Sequence, residues 1–414
     1  MVDRDWLSKL LRKHASRHPC MPSDLVAKAL VVAPMVDASD LPYRLLARRY
    51  NANLCFTPMI HARMFTERPK YREKFWRQYG MPAEDRPLIA QLCGHDKDVL
   101  LQAAKILEGH VDGVDINCGC PQGIARRGQY GAYLMEAEGG DIIVGIVEHL
   151  VAHLSVPVSV KLRILPDGLQ TSLALYERLV NAGAAMVTIH GRTRMQKGQH
   201  TGSADWEAIR RVVELVGDRV PVLANGNISN LDDVRRCLRE TGADGVMSSE
   251  GVLEYPALFT ETNTEATGHK RTGPGRVQMA EDYLALCRRY PPDEGGQGSG
   301  PKCIRAHLHR FLHADLQRHT ELRDALVRAY SVEALGSLPG MVRAIQERNG
   351  HNVLGEQLSW YVRHRQGKDG ANYPLHPEAL ISEEEKKERT REEEEEEQSP
   401  CDLFGEVCGD EADY

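Results

Sequence analysis

Short apolar runs alternate with amphipathic segments along most of the chain. Eight runs have the length and the aliphatic composition of buried strands, at residues 29–36, 54–60, 88–93, 111–117, 156–165, 186–192, 220–225 and 245–249. Six segments between or after them place apolar residues at helical spacing, at residues 40–50, 99–108, 141–153, 172–182, 206–216 and 231–240. Eight strands that alternate with helices are typical of a (β/α)8 TIM barrel.

A doubly wound parallel sheet is the alternative architecture for this alternation. Such a sheet usually binds its nucleotide at a G-x-G-x-x-G turn after the first strand, and no such turn follows residues 29–36. We therefore predict an α/β fold in which a TIM barrel occupies residues 29–260, after an N-terminal extension at residues 1–28.

Beyond residue 260 the strand pattern stops. Apolar side chains at helical spacing continue at residues 277–290, 303–328 and 332–348. They predict a small all-helical domain over residues 277–350. The composition of residues 374–414 is low in complexity, and residues 383–398 are almost wholly charged. This segment is predicted to be a disordered acidic tail.

The net charge of −7 is unevenly distributed along the chain. Residues 383–414 contain 15 acidic and 4 basic side chains, so this segment carries −11 and the first 382 residues carry +4. A mildly basic body is compatible with a nucleic-acid partner but does not require one. No apolar run approaches the ~20 residues that a membrane-spanning helix needs, so we expect no membrane association.

The ten cysteines are scattered through a long chain, and no secretory signal precedes them. This pattern argues against a disulfide-rich scaffold and favours a reducing compartment, the cytoplasm and also the nucleus. No feature of the sequence requires a second protein, and we expect a monomer.

The abrupt change from strand to loop after Asn117 is the stretch richest in chemical groups. Cys118 and Cys120 follow at once, and two basic residues, Arg126 and Arg127, come a few positions later among glycines. A thiol and basic groups at the carboxyl end of a barrel strand indicate a catalytic loop. A metal site is the alternative for two cysteines, but no second pair at zinc spacing lies nearby, so no metal site is predicted.

Polar or backbone-exposing residues also end the other predicted strands, where a TIM barrel carries its active site. They are Pro34, Met35, Gln91, Lys161, Arg163, His190, Asn225, Gly226, Ser249, Glu250 and Gly251. Singly, each has a simpler explanation as a solvated rim residue, a structural histidine or a turn residue. Their recurrence at six strand ends favours one shared cavity.

A flat anionic cofactor would suit such a cavity. The loops after the seventh and eighth strands of TIM barrels often bind phosphate through backbone N–H groups. Gln91 and Lys161 are placed to reach the polar edge of a ring, and a lysine there stabilises negative charge on a reduced flavin. We therefore expect FMN and hydride chemistry. Cys120 is the expected proton donor, because a thiol with an ordinary pKa near ~8.5 is mostly protonated at neutral pH.

Several segments resemble the tRNA-dihydrouridine synthases. They are APMVDASDLPYR (33–44), TPMI (57–60), DINCGCPQ (115–122), KLR (161–163), TIHGRTR (188–194), ANGNI (224–228) and GVMSSEGVL (245–253). Three more resemble the eukaryotic-type branch that acts on D-loop uridines 16 and 17, namely RRGQYGAYL (126–134), QKG (196–198) and RAHLHRFLH (305–313). The resemblance spans about residues 29–348.

The resemblance implies an FMN-dependent flavoprotein in which NADPH or NADH reduces the flavin. Hydride then goes to C6 of a flipped uracil, and Cys120, in the GCP motif, protonates C5. The FMN contacts would be Pro34, Met35, Val36, Gln91, Lys161, His190, Asn225, Gly226, Asn227, Glu250 and Gly251. Asn117 and Arg163 would face the flavin and the uracil. Two departures are visible, because Cys118 replaces a usually apolar residue and residues 248–251 lack the Gly-Arg pair of bacterial relatives.

The predicted helix over 303–328 adds a basic cluster that would help hold tRNA. Its members, Lys302, Arg305, His307, His309, Arg310, His313 and Arg318, are expected opposite the apolar positions of the helix. Together with Arg126 and Arg127 they suit a phosphate backbone, and Arg305 and Arg310 are the candidate tRNA contacts of this helix. A solvated basic helix face is the alternative.

Three functions remain open from the sequence. The first is a tRNA-dihydrouridine synthase. The second is an FMN-dependent barrel reductase of a small pyrimidine or enone, which would not need the basic helical domain. The third is a catalytically inactive RNA-binding protein, which would not need the set of Cys120, Lys161 and His190.

Overall fold

The structure is a computed structural model, and it describes residues 3–15, 21–197, 201–261, 263–264, 271–272, 275–291 and 300–349. Its strands are β1 (Ala29–Val32), β2 (Leu54–Phe56), β3 (Ile60–His61), β4 (Leu88–Cys93), β5 (Gly113–Cys118), β6 (Val158–Ile164), β7 (Met186–Thr193), β8 (Val222–Asn225), β9 (Gly245–Ser248), β10 (Asn263–Thr264) and β11 (Arg271–Thr272). The predicted acidic tail, with Cys401 and Cys408, lies outside the described residues.

Helices surround and follow these strands. They are α1 (Trp6–His14), α2 (Leu41–Arg49), α3 (Ala62–Glu67), α4 (Pro69–Tyr79), α5 (Lys97–Leu107), α6 (Gly123–Arg127), α7 (Ala132–Glu136), α8 (Asp141–His153), α9 (Leu169–Asn181), α10 (Trp206–Val216), α11 (Leu231–Thr241), α12 (Glu250–Glu254), α13 (Arg276–Arg289), α14 (Pro301–Phe311), α15 (His313–Arg318), α16 (Thr320–Arg328), α17 (Val332–Gly336) and α18 (Leu338–Asn349). None of the helices in the described ranges combines the length and the apolar character needed to cross a bilayer.

Eight parallel strands close into a barrel, which confirms the predicted fold class. The order runs from β2 through β1, β9, β8, β7, β6 and β5 to β4, and a direct pairing of β2 with β4 closes the ring. The second predicted strand is divided into β2 and β3 because Pro58 has no backbone N–H for the ladder. Beside it the Thr57 hydroxyl accepts a hydrogen bond from the Gln91 backbone N–H at 3.1 Å.

Alternation along the strands separates two apolar layers. In β1, Leu30 and Val32 pack against the surrounding helices, whereas Ala29 and Val31 face the barrel interior. The outer layer is continuous with the cores of the C-terminal helices. The inner layer occupies the amino-terminal end of the barrel and leaves the carboxyl end to polar side chains.

The N-terminal helix α1 closes the amino-terminal end of the barrel. Leu7 and Leu11 are buried in the inner apolar layer. Trp6 donates from its indole nitrogen to the Ala185 carbonyl oxygen at 2.8 Å, just before β7. Arg4 forms an ion pair of 2.7 Å with Asp244, just before β9. This segment, predicted only as an N-terminal extension, is therefore part of the core.

The C-terminal helices pack on α2 and α12 of the barrel. The single helix predicted over 303–328 is instead three helices, α14, α15 and α16, separated near Leu312 and His319. Arg276 of α13 donates to the Phe311 carbonyl oxygen at 3.2 Å and so occupies an acceptor at the end of α14. The predicted boundary of a separate helical domain stays a prediction.

His307 corrects one part of the predicted basic helix face. Its side chain is fully buried, stacks on Tyr43 at 4.6 Å between ring centroids, and bonds to Asp40 with a distance of 3.1 Å between Nε2 and Oδ1. Cys303 lies beside the pair, with Sγ at 3.7 Å from the same carboxylate oxygen. The ligand atoms of these three side chains lie within 4.8 Å of one another. Here hydrogen bonds join them and fasten α14 to the start of α2.

Candidate active site at the carboxyl end of the barrel

Strand register brings the polar strand ends into layers inside the barrel. One layer consists of Asn117, Lys161 and Thr188 on β5, β6 and β7. A second layer, one pleat closer to the carboxyl ends, consists of Arg163, His190 and Asn225 on β6, β7 and β8. The residues between them, such as Leu162 and Ile189, pack in the outer apolar layer. The predicted inward alternation is therefore present in the structure.

A buried carboxylate organises the floor of this cavity. Asp115 accepts a hydrogen bond from Gln91 Nε2 at 2.8 Å and one from Ser159 Oγ at 2.7 Å. Burial raises the pKa of Asp115 to about 6. Because Gln91 Nε2 donates to Asp115, its Oε1 is left to accept from Asn117 Nδ2, at 2.8 Å. This chain of bonds fixes the orientation of both amide side chains.

Asn117 in turn holds the loop that carries Cys120. Its Oδ1 accepts hydrogen bonds from the backbone N–H groups of Gly119 at 3.2 Å and Cys120 at 3.0 Å. Arg163 donates to the Gly119 carbonyl oxygen at 2.7 Å and to the Thr193 carbonyl oxygen at 2.8 Å. The Cys120 loop is thus fixed from both β5 and β6.

Gly131 gives the returning chain room to pass Cys120. Its φ is +67°, and a Cβ there would lie 2.6 Å from the Cys120 carbonyl oxygen and 2.9 Å from Cys120 Cβ. The next residue, Ala132, donates its backbone N–H to that same carbonyl at 3.0 Å. Only glycine combines this backbone conformation with such a close approach.

The two neighbouring cysteines have different surroundings. Cys118 is fully buried in the outer apolar layer. Cys120 is partly exposed at the mouth and packs in a small apolar cluster with Met59, Cys93 and Val36, among others. Burial raises the pKa of the Cys120 thiol, although Arg163 and Lys161 oppose the shift. The thiol is therefore neutral near pH 7 and can donate a proton.

Lys161 is the cation of the first layer. No hydrogen bond or ion pair joins its ammonium to any residue in the described part of the chain, and the nitrogen lies 4.0 Å from the position of a Cβ at Gly119. Burial, and then the nearby Arg163, lower the pKa of Lys161 to about 8. Lys161 is half-buried, and a cation without a partner at such a position indicates a place for negative charge.

His190 is held in one tautomer by a residue that the sequence analysis missed. Arg192 Nη1 donates to His190 Nε2 at 2.9 Å, and because a guanidinium only donates, the ring proton of neutral His190 lies on Nδ1. Arg192 also donates to Asn227 Oδ1 at 2.6 Å. The strand alternation that pairs Thr188 with His190 extends to Arg192 and could have identified it.

The loops after β8 and β9 meet at one side of the mouth. Gly226 has a φ of +113°, and a Cβ there would lie 2.6 Å from Ala204 Cβ and 3.2 Å from His190. Ser248, at the end of β9, donates to the Ile228 carbonyl oxygen at 2.8 Å and so joins the two loops. Asn225 donates to the Met247 carbonyl oxygen at 2.8 Å, and Glu250 and Gly251 begin α12 beside them.

The segment after β1, the strand that pairs with β9, extends across the mouth to the Cys120 cluster. Its residues Pro34, Met35 and Val36 are half-buried. Met35 contacts the inner apolar layer and Val36 contacts the Cys120 cluster. The Ser39 hydroxyl fixes the bend, because it accepts from Met35 N at 3.1 Å and donates to Met35 O at 2.9 Å.

The cavity fits the flavin that the sequence predicts. Besides Lys161, the hydroxyl of Thr188 is buried without a hydrogen-bond partner among the described residues. Both groups lie in the layer next to Asn117, where the polar edge of a ring would find a cation and a donor. Gly226 has no side chain, so the backbone at this position can approach a phosphate closely. The half-buried thiol of Cys120 lies at the same mouth.

The predicted tRNA contacts lie outside this cavity. Arg126 and Arg127 are exposed on α6, directly after the Cys120 loop. Arg305 is half-buried, donates to the Val327 and Ala329 carbonyl oxygens at 3.1 and 3.2 Å, and covers the exposed ring of Tyr330. Arg310 is half-buried as well, and its Nε and Nη1 are buried without a partner in the described residues. Their role in tRNA binding stays a prediction.

Comparison with known proteins places this geometry in a family. A family model described as Dihydrouridine synthase matches residues 31–340. A Schizosaccharomyces pombe protein whose name is tRNA-dihydrouridine(16/17) synthase, with NAD(P)(+) in the name, is 39% identical over 318 residues, 77% of each chain. A Saccharomyces cerevisiae protein of the same name is 39% identical over 296 residues, 72% of this chain and 68% of the relative.

A mouse relative has the same name with the suffix "-like" and is 42% identical over 310 residues. The match covers 74% of this chain but 60% of the mouse protein, so the chain spans less than two thirds of that relative. The family model covers well over half of the chain and includes every strand of the barrel from Val31 onward. The chain therefore belongs to the dihydrouridine synthase family of oxidoreductases.

Proposed function

We propose that the protein reduces uridines in the D-loop of tRNA, at positions 16 and 17, to dihydrouridine. In this reaction FMN is the bound cofactor and NADPH or NADH is the reductant. The observation that carries it is the Cys120 thiol, held neutral at the mouth of a cavity that also presents Lys161, a cation of the neighbouring strand with no partner among the described residues. The names of the relatives support the substrate, the tRNA positions and the reductant.

The proposed flavin contacts lie on three parts of the mouth. Gln91, Lys161 and His190 would face the ring edge, Pro34, Met35 and Val36 would cover it, and the segments 225–227 and 250–251 would hold the phosphate. When bound and reduced, FMN supplies a hydride, which by family resemblance goes to C6 of the uracil. The remaining chemistry belongs to side chains of the protein.

Cys120 completes the reduction by donating its proton to C5 of the uracil. Asn117 and Arg163 position the thiol, because they bind the backbone on both sides of it. Arg163 lies close enough to the thiol for its positive charge to oppose the rise of the Cys120 pKa. It would therefore stabilise the thiolate that remains after proton transfer.

The target base must leave its stack to reach this cavity. Extrusion costs a few kcal/mol and less in a loop, which favours a D-loop substrate over a duplex. Arg126 and Arg127 beside the catalytic loop, and Arg305 and Arg310 on α14, are the proposed contacts to the tRNA backbone.

The seven cysteines in the described ranges are free thiols. Free thiols are typical of a reducing compartment, in keeping with the proposed cytoplasmic and nuclear location; a monomer is proposed as well.

Mapping of dihydrouridine on unmodified tRNA, incubated with protein, FMN and NADPH or NADH, tests the proposed function. Product at the two adjacent D-loop uridines is expected. Product at another position would retain the reaction and overturn the assigned positions. Flavin reduction without any product in tRNA would favour the reductase of a small pyrimidine or enone. Absence of flavin reduction, with tRNA binding intact, would favour the RNA-binding protein.

A further inference from the structure

A second cavity lies beside the Cys120 loop. Its volume is about 220 Å³, and its walls include His61, Arg63, His95, Asp96, Arg127 and Gly128. Sites for drug-sized ligands usually measure ~300–1,000 Å³, so this cavity suits a fragment such as one phosphate with part of its sugar. Of these residues, only Arg127 has a part in the function proposed above.

The cavity opens at the same end of the barrel as the thiol. His61 ends β3, His95 lies between β4 and α5, and Arg127 ends α6, the helix that begins three residues after Cys120. His95 Nδ1 donates to the Gly128 carbonyl oxygen at 3.1 Å and so joins two of the walls. His61 packs edge-on against Tyr130, with ring centroids 5.8 Å apart.

Positive charge dominates the walls. Both Arg63 and Arg127 are cations. The carboxylate of Asp96 is directed into α5, where it accepts the backbone N–H groups of Asp98 at 2.9 Å and Val99 at 3.1 Å. Those bonds, with the charge of Arg63, lower the pKa of Asp96. Arg63 approaches Glu67 only at 3.9 Å, and both side chains are more than half exposed, so this pair is weak.

We propose that this cavity binds one phosphodiester of the RNA substrate, next to the uridine that is presented to Cys120. The inference rests on the proposed function. Two arginines from different elements, α3 and α6, match the oxygens of a phosphate, and such contacts fix the register of a nucleic acid without reading its sequence. A phosphate held here would determine which nucleotide of the loop reaches the thiol.

Charge reversal tests the site. Arg63→Glu is expected to weaken binding of unmodified tRNA about tenfold near 150 mM salt. The slope of log affinity against log salt concentration should fall by about 0.7, the value for one phosphate of a single strand. Arg63→Gln should give the same slope change with a smaller loss of affinity, and it guards against misfolding of the reversed variant.

Two further variants complete the experiment. Arg239→Glu is the matched control, because Arg239 is exposed in the last turn of α11 near the opposite end of the barrel, and it should leave affinity and slope unchanged. Glu67→Gln removes the competing carboxylate and should tighten tRNA binding. Weaker tRNA binding in Glu67→Gln would contradict a phosphate site at Arg63.

The opposing outcomes are distinct. Unchanged tRNA affinity and slope in both Arg63 variants would overturn the proposal. So would an increase in KM for NADPH but not NADH at unchanged tRNA affinity, since the cavity would then bind the cofactor's 2′-phosphate. If wild-type protein forms no dihydrouridine but the variants bind tRNA more weakly, the proposed reaction fails and the phosphate site stands.

Discussion

Two cationic side chains on β6, Lys161 and Arg163, lie two residues apart and have different surroundings. Arg163 donates to carbonyl oxygens of two loops, so its guanidinium holds these loops in place at the mouth. Lys161 has no such partner among the described residues, and burial destabilises its charged form. From sequence both were expected to reach the cavity, but their neighbours are set by tertiary packing. The structure therefore separates a positioning residue from a cation that can serve a ligand.

Lys161→Met is expected to lower the midpoint potential of bound FMN, because the ammonium stabilises the negative charge of the reduced ring. A loss of about 1.4 kcal/mol corresponds to about 30 mV for a two-electron couple. Lys161→Arg is the control that keeps the charge. Burial and Arg163 lower the pKa of Lys161 to about 8, and a bound anionic ring raises it again, so the difference between wild type and Lys161→Met should shrink as pH rises above about 8. A difference that is constant from pH 6 to 10 would contradict this role.

At the scale of elements, strand periodicity predicted the barrel and most of its mouth. Alternation of residues such as Asp115 and Asn117 identified the inward face of a strand without any structure. Sequence could not predict the division of the helix over 303–328, because apolar spacing continues across Leu312 while the backbone turns there. It also missed the role of α1, whose buried face depends on an opening formed by distant strands.

The loop between Cys120 and α7 gives an element-scale test. Gly131→Ala is expected to reduce the free energy of unfolding by about 1–3 kcal/mol, because φ is positive and Cβ would collide with Cys120. Dihydrouridine formation should fall as the thiol shifts. Gly123→Ala is the matched control, since a Cβ at that position would meet no neighbouring group within 4 Å. Equal stability and activity in both variants, measured by chemical unfolding and product assay, would refute the role of Gly131.

At the scale of the whole molecule, the segment after β1 links the proposed flavin site to the C-terminal helices. Met35 contacts the interior of the barrel, and Asp40, five residues later, binds His307 and Tyr283. Tyr43 stacks on His307 one helical turn further along. These contacts therefore connect α14 to the mouth of the barrel. The motif at 305–313, which sequence assigned to tRNA binding, contributes in part to this junction.

The His307 junction predicts a pH dependence of stability. Burial lowers the pKa of His307, while the unfolded side chain takes up a proton near its ordinary pKa of ~6.5. The unfolded state therefore binds more protons in acid, so stability is complete above that value and is lost as pH falls below it. The slope contributed by His307 is at most about 1.4 kcal/mol per pH unit.

His307→Gln should remove that contribution, as measured by urea unfolding between pH 5 and 7.5. His153→Gln is the control, because His153 is exposed at the end of α8. The wild-type slope should persist in the control. If His307→Gln has the same slope of unfolding free energy against pH as wild type, protonation of other groups causes the loss of stability in acid.

The central claim is that Cys120, and not its neighbour Cys118, donates the proton. Single-turnover dihydrouridine formation on unmodified tRNA, with enzyme carrying reduced FMN, tests it directly in Cys120→Ala and Cys118→Ala. Loss of a general acid typically slows a reaction by ~10²–10⁴-fold, so Cys120→Ala should fall in that range with FMN still bound. Cys118→Ala should react close to the wild-type rate, because that thiol is buried in the outer apolar layer. Equal rates for Cys120→Ala and wild type would contradict the account.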